Sequence, residues 1–204
     1  MSERGMIFNA EMVRAILDGK KTQTRRPIKW KQTRFTEIAE RDDGSLWPWA
    51  EDCERGGDIW FAYPYGEIGD RIWVRETFRV HSRATDVATL VYRASVRNSW
   101  TEQTHRVPVA VCNKPATPEK WTPSIHMPRW ASRITLEITG VRVERLNSIT
   151  ESDAEAEGVT DTGFGDLLVD GYRYLWKSIY GEESWAANPW VWVIEFKRVE
   201  GGAA

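Results

Sequence analysis

An amine and a hydroxyl three residues apart, Lys21 and Thr24, stand in the segment Gly19-Lys20-Lys21-Thr22-Gln23-Thr24-Arg25-Arg26. A hydroxyl beside an amine is a workable nucleophile and base, provided the amine is unprotonated often enough to take a proton. Free lysine titrates at about 10.4; burial and neighbouring cations lower that value, and a carboxylate raises it. Here the neighbouring cations are Lys20, Arg25 and Arg26. In a regular strand, residues three apart point to opposite faces. Lys21 and Thr24 therefore converge only if the chain is still turning out of Gly19 at Lys21, or if a bulge intervenes. Thr24 and Arg26 share a face in either case. The plainer alternative is a solvated basic edge, since Lys20 to Arg34 carries seven Lys or Arg and no acid. Such a run repels itself unless something anionic or electron-rich docks on it.

The counterweight lies far away in sequence. From Glu151 to Asp170 there are seven acids and no base, beginning Glu151-Ser152-Asp153-Ala154-Glu155-Ala156-Glu157-Gly158. Thr150 reads as the N-cap of a short helix, and acids in its first turn suit the positive end of the helix dipole. Glu157 does not, because it stands at the far end, where the dipole disfavours a negative charge. Pairing with the basic segment would account for it, as a structural ion pair or as a third catalytic member.

These residues need elements to hold them. Met6-Ile7-Phe8 is a short apolar strand, and Asn9 caps a helix through Asp18 that Gly19 ends. Lys21 to Arg26 enters a strand that stops at Pro27. Between there and about Phe61 the periodicity breaks down, with a turn at Asp42-Asp43-Gly44-Ser45, and a Trp-Pro-rich flap is expected. Gly69 to Phe78 is a strand leaving a turn. Residues 80 to 130 form a loose region with one candidate strand at Thr89 to Ala94. Alternation from Ile134 to Val143 predicts one long strand with a bulge or a tight pair. Leu168, Tyr172, Leu175, Trp176 and Ile179 mark a second amphipathic helix, and Trp190 to Arg198 a last alternating strand. Five or six strands with a helix near each end predict an α+β fold built on a small closed barrel, with Gly19–Arg26 at its rim.

Bulk composition narrows the chemistry. The chain has 204 residues and a net charge of -2, which fits one domain. Its two cysteines, Cys53 and Cys112, form no CxxC pair, and His81, His105 and His126 are scattered, so neither a disulfide framework nor a metal site is expected. No apolar run approaches membrane-spanning length and the first residues carry no signal-peptide pattern; a cytoplasmic, cofactor-free protein without membrane contact is expected, and no protein partner is evident. Twelve tryptophans are unusual. Trp190 and Trp192 alternate as core residues do, whereas Trp30, Trp47, Trp49 and Trp130 lie beside Pro or Arg, where packing and ligand stacking compete.

Taken in order, Gly19-x-Lys21-x-x-Thr24-x-Arg26, the Gly69-Asp70 strand entry, Ala154-Glu155-x-Glu157-Gly158 and the closing Val193-Ile194-Glu195-Phe196-Lys197 resemble the ASCH domain family, most nearly its phage- and prophage-type members. The resemblance spans the chain and implies a PUA-like barrel, here a single domain over residues 1–204 with insertions at about 27–60 and 79–130. One compact branch of that family hydrolyses the exocyclic amide of N(4)-acetylcytidine with a Lys, a Thr and a Glu. Carried over by motif, these fall on Lys21, Thr24 and Glu157. Thr24 would attack the acetyl carbonyl, Lys21 would activate it or steady the oxyanion, and Glu157 would orient Lys21 or pass a proton to the leaving amine. Arg26 would hold the base or sugar edge, with Arg75, Glu76, Arg129 and Trp130 as further substrate contacts. Arg25 departs from the apolar residue of the compact enzymes. The resemblance implies a modified cytidine nucleoside or RNA as partner. The competing expectations are an RNA-binding module without catalysis, using Trp30 and Arg129-Trp130 for stacking and phosphate contact, and a ribonuclease.

Overall fold

The computed structural model describes residues 2–30, 37–95, 104–160 and 167–199. Lys31 and Arg34 of the basic run, and Asp161 and Asp166 of the acidic one, lie outside these residues. The chain forms two compact units. Unit 1 comprises residues 1–19, 69–137 and 197–204; unit 2 comprises residues 20–68 and 138–196.

In unit 1, strand β1 (Glu3–Ile7) runs parallel to β6 (Arg71–Arg75), with Gly5 opposite Trp73. Gly5 is required there, because a Cβ would meet the Trp73 ring at 2.6 Å. The first residues of β10 (Thr135–Arg145) pair antiparallel with β6. Helix α1 (Ala10–Leu17) follows β1, capped by the Asn9 side chain accepting from the Met12 amide at 2.8 Å. It buries Met12, Val13 and Ile16, the apolar stripe seen in the sequence. A three-stranded antiparallel sheet, β7 (Phe78–Arg83), β8 (Val87–Tyr92) and β9 (Thr104–Pro108), completes the unit. Its core includes Phe78, Leu90, Tyr92 and Met127. The region expected to hold one strand thus holds a whole sheet.

Unit 2 contains β2 (Gln23–Pro27), which pairs antiparallel with β11 (Trp190–Arg198), while the later residues of β10 flank β11 on its other side. Helices α2 (Glu151–Ala156), α3 (Leu168–Tyr180) and α4 (Glu183–Ala186) belong to this unit. Alternation along β11 divides the work. Val191 and Val193 pack with Tyr172 and Trp176 of α3, each contributing roughly 1.5–3 kcal/mol by leaving water. Trp192 turns the other way, into the rings of Trp47 and Tyr63, both 5.1 Å away between centroids. The expected flap is instead a three-stranded sheet, β3 (Glu37–Glu40), β4 (Leu46–Glu51) and β5 (Asp58–Trp60).

The mixed α+β class agrees with the sequence reading. The strands, however, form sheets of five, three and three, and no pairing among the described residues closes a ring. In the Gly19–Arg26 segment, Lys21, Gln23, Thr24 and Arg25 are buried.

Candidate active site

Gly19, at φ +72°, ends α1 and turns the chain before it becomes a strand. Lys21 is met during that turn. It forms an isolated antiparallel bridge with Glu157 two residues before β2 begins. Thr22 then donates its amide to the Ala156 carbonyl at 2.8 Å and accepts from the Phe196 amide at 2.8 Å. The segment is thereby fixed between the end of α2 and β11.

The side chains of Lys21 and Glu157 meet. Lys21 Nζ lies 2.5 Å from Glu157 Oε2 and donates to the Glu157 carbonyl at 2.8 Å. Both residues are only 2% exposed, so this is an ion pair with almost no water around it. Taking two charges out of water costs several kcal/mol per ion, which their attraction and hydrogen bonds must offset. Burial holds the Lys21 amine below the ordinary lysine value, against the pull of Glu157, while the Arg26 and Arg25 charges act with the burial. The second oxygen, Glu157 Oε1, is buried and has no hydrogen-bond partner.

Arg25 surrounds the pair from β2. Its Nη1 stands 3.5 Å from Glu157 Oε1, and its Nη2 lies 3.2 Å from Asp153 Oδ2 and 3.3 Å from Glu144 Oε2. Gln23, on the same face, accepts from Arg25 and donates to Asp153 Oδ1 at 3.1 Å. Arg142 closes the network, bonding Asp153 at 2.9 Å and pairing with Glu144 and Glu195. Asp153 also accepts from the Thr150 amide and hydroxyl while Thr150 accepts the Asp153 amide, a reciprocal capping box. Burial works to raise the Asp153 carboxyl, but the Thr150 and Gln23 hydrogen bonds and the Arg25 charge take it down to about 2.

Thr24 is buried at 1% exposure on β2, opposite Ile194 of β11. Among the described residues no side-chain hydrogen bond joins it to Lys21 or Glu157. Arg26, half-buried, stands opposite Trp192. The remaining sequence candidates sit in unit 1, each with an internal partner. Arg75 lies over the Trp73 ring, 5.4 Å from its centroid, and donates to the Ile125 carbonyl. Glu76 is buried and takes both arms of Arg133, at 2.9 and 3.1 Å, and burial pushes its carboxyl up. Arg129 grips Glu3 at 2.9 and 3.1 Å, and Trp130 packs edge-on to Phe78.

Sequence reasoning missed the ring of charge around Arg25. It gave Asp153 only a dipole role, whereas the carboxylate both caps α2 and binds Arg25 and Arg142. The available signal was alternation. Gln23 and Arg25 share one face of β2, and Glu144 and Glu195 lie on β10 and β11.

Among the described residues no group of three His, Cys, Asp or Glu could hold a metal ion, and no helix is long and apolar enough to cross a membrane. No protein-family model matches the chain. No curated protein matches it in sequence. Among solved structures it is similar to the ASCH domain from Lactobacillus crispatus JV V101, at 14% identity and a TM-score of 0.41, covering 97% of this chain and 79% of that one. That is a domain of the family whose motifs the sequence resembles. The likeness is loose.

Proposed function

We propose that the chain is an amidohydrolase that removes the acyl group from N(4)-acetylcytidine or a related N-acylated cytosine nucleoside, as a phage-type member of the ASCH family. The observation that carries this reading is a desolvated lysine held against a carboxylate three residues before a buried threonine. Water exclusion favours the neutral amine, the form that can accept a proton.

In this mechanism Thr24 Oγ1 attacks the acyl carbonyl carbon as its proton passes to Lys21 Nζ. The tetrahedral intermediate collapses with cleavage of the carbon–nitrogen bond, and the Lys21 ammonium returns the proton to the departing exocyclic nitrogen. Water, deprotonated by Lys21, then attacks the acyl-threonine ester, and the Lys21 ammonium returns that proton to Thr24 Oγ1 as the ester bond breaks and the carboxylic acid leaves. Glu157 holds Nζ in line throughout and stabilises its charged form. Arg26 is assigned to the base or sugar edge.

Burial also favours a second reading, in which Lys21 and Glu157 form a structural pair pinning the entry of β2 to the end of α2. The two readings diverge at Thr24. The hydrolase predicts that Thr24→Ala lowers turnover on N(4)-acetylcytidine by at least about a thousandfold while nucleoside affinity stays within severalfold. Release of the deacylated product, followed by absorbance across a panel of N-acylated cytosine compounds, measures turnover, and equilibrium binding of N(4)-acetylcytidine measures affinity. Wild-type protein without turnover on that panel, or a Thr24→Ala variant as fast as wild type, would leave the structural pair.

A further inference from the structure

Arg25 occupies a position that catalysis, as proposed, does not use, yet its side chain is fully buried among three carboxylates. Its guanidinium is held on one arm by Asp153 and Glu144, and by Gln23, so it cannot swing away from Glu157. The Glu157 carboxylate lies between two cations, with Lys21 on Oε2 at 2.5 Å and Arg25 facing Oε1 at 3.5 Å. The asymmetry is informative. Lys21 has the close contact, while Arg25 stands just beyond hydrogen-bond range of an oxygen that has no other partner.

We propose that Arg25 is a positioning residue that shares the Glu157 charge with Lys21 and so keeps the lysine amine ready to give up its proton. A carboxylate belonging to Lys21 alone would hold the ammonium form strongly, which suits a structural pair and not a base. Arg25 divides that attraction and adds a second positive charge nearby. The other charged or titratable groups acting on the pair are Arg26 on β2 and Tyr172 on α3, while Asp153 on α2 and Glu144 on β10 pair with Arg25, and Arg142 on β10 and Glu195 on β11 lie beyond them. Arg142 is occupied by Glu144, Asp153 and Glu195 and cannot replace Arg25. Loss of Arg25 therefore removes a repulsion from Lys21 and leaves Glu157, Asp153 and Glu144 without that cation. Both effects strengthen its hold on the proton.

The test is direct titration of the Lys21 side-chain nitrogen by NMR in the intact protein. Arg25→Met should move its midpoint upward by about one pH unit or more, and Arg25→Lys should restore it to near the wild-type position. Because Met alone leaves acids unpaired, the double variant Arg25→Met/Asp153→Asn serves if the single variant does not fold. Asn keeps an acceptor for the α2 cap, and the upward movement is expected there too. A midpoint unchanged in either Met variant would overturn the proposal. The kinetic part rests on the amidohydrolase reading: the rising limb of kcat/KM should move to higher pH by the same amount. Absence of turnover in wild type would defeat that reading alone, since the titration still decides the role of Arg25.

Discussion

Glu157 is the residue on which the buried charges depend. With Glu157→Gln, the Lys21 amine keeps the carbonyl contact but loses its carboxylate, inside a site with almost no water. An ion left in that state costs about 3–5 kcal/mol. Urea unfolding of the variant at neutral pH should show a loss of that size, and a loss under 1 kcal/mol would mean that Lys21 is neutral or reaches water. That Glu157 would pair with the basic segment was legible in the sequence because an acid at the wrong end of a helix dipole needs a partner, and the motif resemblance pointed to Lys21. The part played by Arg25 was not. Alternation alone separates its face from that of Arg26, but only the folded chain shows that the Arg25 face meets Glu144 and Asp153.

Helices α1, α2 and α3 were legible as elements; the four-residue α4 and several strands were not. Asn9, Gly19 and Thr150 are caps whose side-chain or backbone chemistry acts locally, so sequence places α1 and α2 closely. The capping box also has a task beyond ending a helix, because Asp153 accepts from Thr150 and faces Arg25 and Arg142 at once. Thr150→Ala should cost about 1–2 kcal/mol in thermal or urea unfolding, at the upper end of N-cap effects, since it frees an acid inside a charge network. A change below 0.5 kcal/mol would show the cap to be dispensable. The sheet β3–β5 escaped detection because its strands have four, six and three residues and its middle strand contains Pro48. Proline cannot donate to a ladder and ordinarily argues against a central strand. Here its carbonyl still accepts from the Phe61 amide at 2.8 Å, and the turn residues around it carry no strand signal.

Across the whole molecule the chain passes between the two units four times, after residues 19, 68, 137 and 196. The last two passages fall inside β10 and β11, which continue without a break. Strand hydrogen bonds are lost cooperatively, so urea unfolding followed by tryptophan fluorescence and by far-ultraviolet circular dichroism should give one coincident transition. Two separated transitions would show that the units melt independently despite sharing strands. Composition could not reveal this division, because neither unit is a continuous stretch and no linker-like segment marks the passages.

The pairing of β2 with β11 also sets a timetable for synthesis. Residues 23–27 leave the ribosome early, but their partners at 191–195 emerge more than 160 residues later. Throughout that interval the nascent chain carries a strand edge open to misassembly or to a chaperone, and Lys21 awaits a carboxylate 136 residues downstream. Fragments ending before residue 190 lack that partner strand, so dissecting this protein calls for point substitutions and not truncation.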